Sequence, residues 1–274
     1  MRTNNGAKNK TIIICMIILI LIILLSISIP ALSPYKYYTS DFNNINQDPS
    51  FKHIFGTDIL GRDLFVRVFY GTRISLLIGF TAALINVTIG FFYGCLSGFC
   101  GGIVDQILMR ITDVLLSIPS LLYIILFMMF WGASIKTIII ALCVCSWASV
   151  ARMVRSKVLY IKSQNYILSA DISGLTTFRI VIKHILPNVM DIIIVSLIFL
   201  IPEAIFYEAF LSFLGIGIQK PIPSWGSLIN EAIPFLYSAT YQIVFPIAIT
   251  LITVLSLNII GNRVRNIFDF RSEI

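Results

Sequence analysis

Residues 166–188, YILSADISGLTTFRIVIKHILPN, form a polar, basic, glycine-punctuated stretch between long apolar runs. Tyr166–Ser173 suits one short helix, and Gly174 supplies the backbone freedom that a helix stop needs. Thr176 or Thr177 is placed to cap a second helix. There Phe178, Val181, Ile182 and Ile185 fall on one apolar face, at spacings of three, four and seven. Arg179 and Lys183 sit together on another face, and Pro187 ends the helix because the residue before a proline avoids the helical region. The pattern describes a helix–turn–helix elbow lying parallel to a membrane. On pattern alone it serves equally well as an interfacial loop that covers helix ends. A membrane protein that keeps such a segment between two spans presents it to a partner.

The rest of the chain supplies the membrane. Of 274 residues, 58% are hydrophobic and 12% charged, and the mean hydropathy is +0.93, which excludes an ordinary soluble domain. The length accommodates five to seven spanning helices and no separate large soluble domain. Thr11–Ala31 is uncharged over 21 residues and reaches about 30 Å, so it reads as a retained first helix and not as a cleaved signal. Further spans are expected at about Ile74–Gly98, Val114–Trp131, Ile135–Val150, Val189–Phe210 and Tyr241–Gly261. The net charge of +7 points to basic cytoplasmic loops, and nucleic acid is not expected as a partner. With both termini inside, thirteen Lys and Arg lie on inner segments and six on outer ones, with Arg73 at a boundary. Residues 34–72 are then an external loop whose part around Leu60–Tyr70 is amphipathic and suited to the membrane surface.

Charged residues inside apolar runs are the other candidates. Glu203 and Glu208 in the fifth span read as pore-lining or subunit-interface groups, and Asp191 as an interface position near the inner end. Asp105, Arg110 and Asp113 read as a salt bridge, or a gate, at the inner mouth. Cys15, Cys95, Cys100, Cys143 and Cys145 read as small hydrophobes. Cys143 and Cys145 do not share a helix face, no nearby histidine completes a site, and no metal is expected. No Ser/His/Asp or paired-carboxylate arrangement suggests catalysis.

Gly174 followed by His184-Ile185-Leu186-Pro187-Asn188 resembles the EAA loop of ABC-importer permeases. The resemblance runs from Phe51 to Arg271 and is closest to the second (C-type) subunit of the dipeptide/oligopeptide/nickel permease group. It is carried by Gly56-Thr57-Asp58 with Leu60-Gly61-Arg62-Asp63, and by Tyr70-Gly71-Thr72-Arg73-Ile74-Ser75-Leu76. Gly101-Gly102-Ile103-Val104-Asp105, Met109-Arg110-Ile111-Thr112-Asp113 and Pro119-Ser120 continue it. Ala151-Arg152-Met153-Val154-Arg155, Glu208–Gly215, Pro223-Ser224-Trp225-Gly226 and Asn258-Ile259-Ile260-Gly261 complete it. One departure stands out. Leu168-Ser169-Ala170 occupies the place of the family's Glu–Ala–Ala, and the nearest acid is Asp171.

The resemblance implies an all-α membrane protein of about six transmembrane helices: a type-1 ABC importer permease core with an extra N-terminal helix. It implies a division into 1–33 (cytoplasmic N-terminus and first helix), 34–72 (external loop), 73–262 (five-helix core, with the coupling loop 151–188) and 263–274 (cytoplasmic tail). The elbow becomes a coupling helix that docks on ATP-binding subunits at the cytoplasmic face. Leu168, Ser169, Ala170, Asp171, Gly174, His184, Leu186 and Pro187 make up its coupling loop. The chain has no G-x-x-x-x-G-K-[ST] phosphate loop, so ATP and Mg belong to the partner ATPase and no cofactor to this chain. A second, related permease and an external substrate-binding protein are the other expected partners. Di- or oligopeptides are the expected cargo. The alternatives are a nickel importer permease and an ATP-independent secondary transporter.

Overall fold

The computed structural model describes residues 5–144, 146–165, 167 and 176–272. Among them every regular element is helical, with one isolated bridge between Thr57 and Asp63 and no strand. The α-helices are α1 (Asn5–Leu32), α2 (Leu64–Cys100), α3 (Gly102–Ser117), α4 (Ser120–Trp131), α5 (Ile135–Leu142), α6 (Trp147–Lys162), α7 (Thr177–Ile180), α8 (Leu186–Phe213), α9 (Trp225–Ala232) and α10 (Tyr241–Ser272). A π-helical turn, Val181–Ile185, joins α7 to α8.

Five helical stretches among the described residues are long and apolar enough to cross a membrane, and α3 with α4 makes a sixth if taken as one bent span. That pair bends by 82°. The expected straight span at Val114–Trp131 is therefore broken at Ile118–Pro119, where Ile118 turns extended (φ −99°, ψ 130°) as a residue before proline prefers.

Two further boundaries differ from the hydropathy reading. The stretch Leu60–Tyr70 does not lie free on a membrane surface. Asp63 caps α2 by accepting the Val66 N–H at 2.9 Å, so the helix starts at Leu64. Leu64 and Val68 are buried with Leu228 against Phe55, Tyr241 and Phe245. The fourth span likewise continues past Val150, because α6 carries the helix on to Lys162. Val150, Val154, Val158 and Ile161 line one buried face of α6, while Arg152, Arg155 and Lys157 lower the hydropathy of the others. The first third of the expected loop 151–188 is thus helix.

α2 is the central post and packs along α6 and α8. Its glycines at intervals of four let α6 come close. A Cβ on Gly90 would stand 2.6 Å from Val150 Cβ, on Gly94 2.5 Å from the Ala151 carbonyl oxygen, and on Gly98 2.9 Å from Val158 Cγ1. Over residues 10–32, α1 buries Cys15, Ile22 and Ser26 alone, and exposes Ile13, Ile17, Ile20, Leu24 and Ile27 as a lipid-facing helix would.

Candidate functional site

The two ends of the bundle are built differently. One end carries the elbow. Leu168, Ser169, Ala170, Asp171 and Gly174 lie outside the described residues, but both flanks of the elbow are seated. Ile167, Ile180 and Ile185 are buried in one cluster with Val154, Val158 and Ile161 of α6. Pro187 does not end the helix. The chain passes through the π-turn, where the Leu186 N–H donates to the Val181 carbonyl, and Pro187 falls in the first turn of α8. The extra residue in the π-turn also changes the expected apolar face. Ile185 stays buried, but Ile182 is 45% exposed and Ile180 takes its place inside. Arg179, Ile182, Lys183 and Pro187 are exposed together around the turn, while His184 and Leu186 are half-buried. The His184 carbonyl accepts the Asn188 side-chain N–H at 2.7 Å.

The basic residues of α6 fasten this end. Arg155 Nε donates to Asp105 at 2.5 Å and its Nη2 pairs with the second oxygen, while the Ser97 hydroxyl also donates to Asp105. Arg152 pairs with Asp113, and Lys157 lies 3.3 Å from Asp191. Lys162 donates to the Phe99 carbonyl at 2.6 Å. The expected group of Asp105, Arg110 and Asp113 is therefore not a local salt bridge. Both carboxylates reach across to α6, and Arg110, pointing away on the exposed side of α3, makes no ion pair among the described residues.

The opposite end is closed by residues 34–63, held by a buried ionic cluster. Asp58 accepts the N–H groups of Leu60 (2.9 Å) and Arg62 (3.0 Å) and the Arg62 Nε–H (2.7 Å). Arg62 and Arg67 both reach Glu231 Oε2 of α9, at 2.8 and 3.0 Å. Asp63, besides capping α2, lies 2.8 Å from His53 Nδ1. The Gly-Thr-Asp and Leu-Gly-Arg-Asp stretches thus form a clamp between the segment and two helices. Arg67 and Glu231 escaped the sequence reading. The available signal was Arg67 itself, a guanidinium in an apolar helical run, which demands a carboxylate.

Glu208 is neither pore-lining nor at an interface. It is fully buried, accepting the hydroxyls of Ser75 (2.7 Å) and Ser212 (2.8 Å). Ser75 in turn accepts the Trp225 backbone N–H at 3.3 Å, and the indole donates to Thr72 at 3.0 Å, so the group ties α2, α8 and α9 together. Glu203, one turn earlier on the other side of α8, is exposed. It lines a groove of about 370 Å³ between α6, α8 and α10, with Asp191, Ser149, Ser196 and Arg265 among the walls.

A bundle of membrane-crossing helices, with a seated basic elbow at one end and an ion-clamped cap at the other, defines a polytopic membrane protein. The family described as "Binding-protein-dependent transport system inner membrane component" matches residues 86–274, and the chain belongs to it. The "N-terminal TM domain of oligopeptide transport permease C" matches residues 7–49. The chain is 43% identical to the oligopeptide transport system permease protein OppC of Bacillus subtilis (strain 168), over 95% of this chain and 86% of that protein. It is also 43% identical to the dipeptide transport system permease protein DppC of the same organism, over 96% and 82%. OppC of Escherichia coli (strain K12) is 39% identical over 95% and 87%. The fold is that of a chain of the MetNI methionine ABC transporter in an inward-facing form, with TM-score 0.60 at 19% identity, covering 73% of this chain and 95% of that one. The resemblance carried by the sequence motifs is borne out, and so is the helical permease fold.

Proposed function

We propose that this chain is the C-type permease subunit of an ATP-driven importer of di- or oligopeptides in the cytoplasmic membrane. The observation that carries the reading is likeness to peptide permeases along almost the whole chain, the N-terminal helix included. That likeness favours peptides over nickel as cargo. Both termini and the elbow end face the cytoplasm, and residues 34–63 face outward, toward an external binding protein. A second permease completes the pore, and separate subunits supply ATP and Mg.

The structure gives this reading a physical basis. Exposed Arg179, Ile182, Lys183 and Pro187 offer an ATPase a basic and apolar handle on a helix continuous with α8. Because Ile180 and Ile185 are anchored on α6, a push on the elbow is transmitted to α6 and α8 together. ATP moves the spans only if the ATPase grips one arrangement better than the other.

The test is affinity purification in mild detergent, followed by ATPase and peptide-uptake assays. Wild-type protein is expected to bring down a second permease and ATP-binding subunits. The double reversal Arg179→Glu with Lys183→Glu is expected to release the ATPase and abolish uptake without loss of the membrane-inserted chain. ATP-independent peptide uptake by the chain alone would overturn the importer reading in favour of a secondary transporter.

A further inference from the structure

Glu203 is at odds with its surroundings. Asp105, Asp113, Asp191 and Glu208, the other carboxylates within the candidate membrane-crossing stretches, all have partners. Glu203 has none among the described residues, and it is exposed on a helix whose neighbouring positions are apolar. A carboxylate at membrane depth is retained only where it meets water or a cation. It opens on a groove, not on a flat face. The volume of about 370 Å³ lies within the range of small-ligand sites, roughly 300–1,000 Å³.

The groove also has polarity along its length. Asp191, at the elbow end, is already offset by Lys157 at 3.3 Å. Arg265 sits about one turn beyond Gly261, and Gly261 packs at Ile198 and Phe199, so the cationic side chain lies deeper toward the elbow end than Glu203. The Glu203 carboxylate, without a partner among the described residues, and the Ser149 and Ser196 hydroxyls between helices match an ammonium group. They do not match a metal ion, which would need several convergent ligands. We propose that Glu203 is a specificity-determining residue that receives the terminal ammonium of a peptide during its passage. The inference rests on the peptide-importer reading.

The experiment uses the complete importer in proteoliposomes, with ATP supplied to the ATPase subunits and the binding protein saturated. The probes are trialanine and its analogue lacking the amino group, propionyl-dialanine. Glu203→Gln is expected to slow trialanine uptake roughly 10- to 100-fold, the range for loss of a charge-assisted hydrogen bond. Glu203→Asp is expected to retain most of the rate. Wild-type protein should move the analogue as slowly as Glu203→Gln moves trialanine, and the variant should slow the analogue no further, as a coupled pair requires. Equal slowing of both probes by Glu203→Gln, or uptake unchanged, would overturn the ammonium role. Loss of the second permease from affinity-purified Glu203→Gln would instead place the residue at a subunit seam. Failure of wild-type protein to transport trialanine at all would remove the peptide reading and this inference together.

Discussion

At the scale of single residues, the least replaceable groups are polar and buried, and they look inward. Glu208 is held by Ser75 and Ser212, and Ser75 carries the Trp225 turn. Glu208→Ala is expected to orphan those hydroxyls at about 1–3 kcal/mol for each unsatisfied group, and to lower the melting temperature in detergent. Glu208→Gln, which keeps an acceptor, should cost less. If Glu208→Ala melted like wild type, Glu208 would not be the tie described above. Gly61 is constrained differently. Its φ is +69°, and a Cβ would lie 1.7 Å from the Asp41 carbonyl oxygen. Gly61→Ala is therefore expected to loosen residues 34–63, read as faster proteolysis of that segment in membranes. The cost of a carboxylate in the fifth span was legible in the sequence, but its direction was not. α8 is apolar nearly all round, so no stripe distinguishes the side of Glu208 from that of Glu203. Arg67 and Glu231 stand 164 residues apart, and no local pattern joins them.

At the scale of elements, α6 is the helix that hydropathy conceals. Its buried face is as apolar as any, but Arg152, Arg155 and Lys157 made its sequence read as loop. The partners of those cations, Asp113, Asp105 and Asp191, sit on α3 and α8, so the pairing became visible only once the helices were packed. Arg155→Ala is expected to destabilise the α3–α6 contact, whereas Arg110→Ala, on the exposed side of α3, should shift stability by no more than about 0.5 kcal/mol. Thermal denaturation of the purified variants compares the two. Gly94→Val should be more damaging than either, because the added atoms have only the Ala151 carbonyl and the Val154 side chain to displace. The α3–α4 break was signalled by Pro119, but an 82° bend, as against a gentle kink, depends on packing around it.

At the scale of the whole molecule, the all-α class and a count of about six spans were readable from apolar run lengths, and the family from its ordered motifs. The sidedness proposed above has a direct check in a background with the five native cysteines replaced. Thr39→Cys is expected to react with a membrane-impermeant thiol reagent in intact cells, and Ser163→Cys only after permeabilisation. The reverse pattern would invert the topology. The clamp between Arg62, Arg67 and Glu231 has a consequence for how the protein is made. The two arginines precede their shared carboxylate by 169 and 164 residues. At about 5–20 residues per second, the ribosome delivers Glu231 roughly 8–34 s after them. Until just over five-sixths of the chain has been synthesised, Asp58 is therefore the single carboxylate of the cluster that faces both guanidinium groups. Chains truncated before α9 keep that imbalance of two cations on one anion, so the cap closes on a neutralised cluster only in chains that reach Glu231.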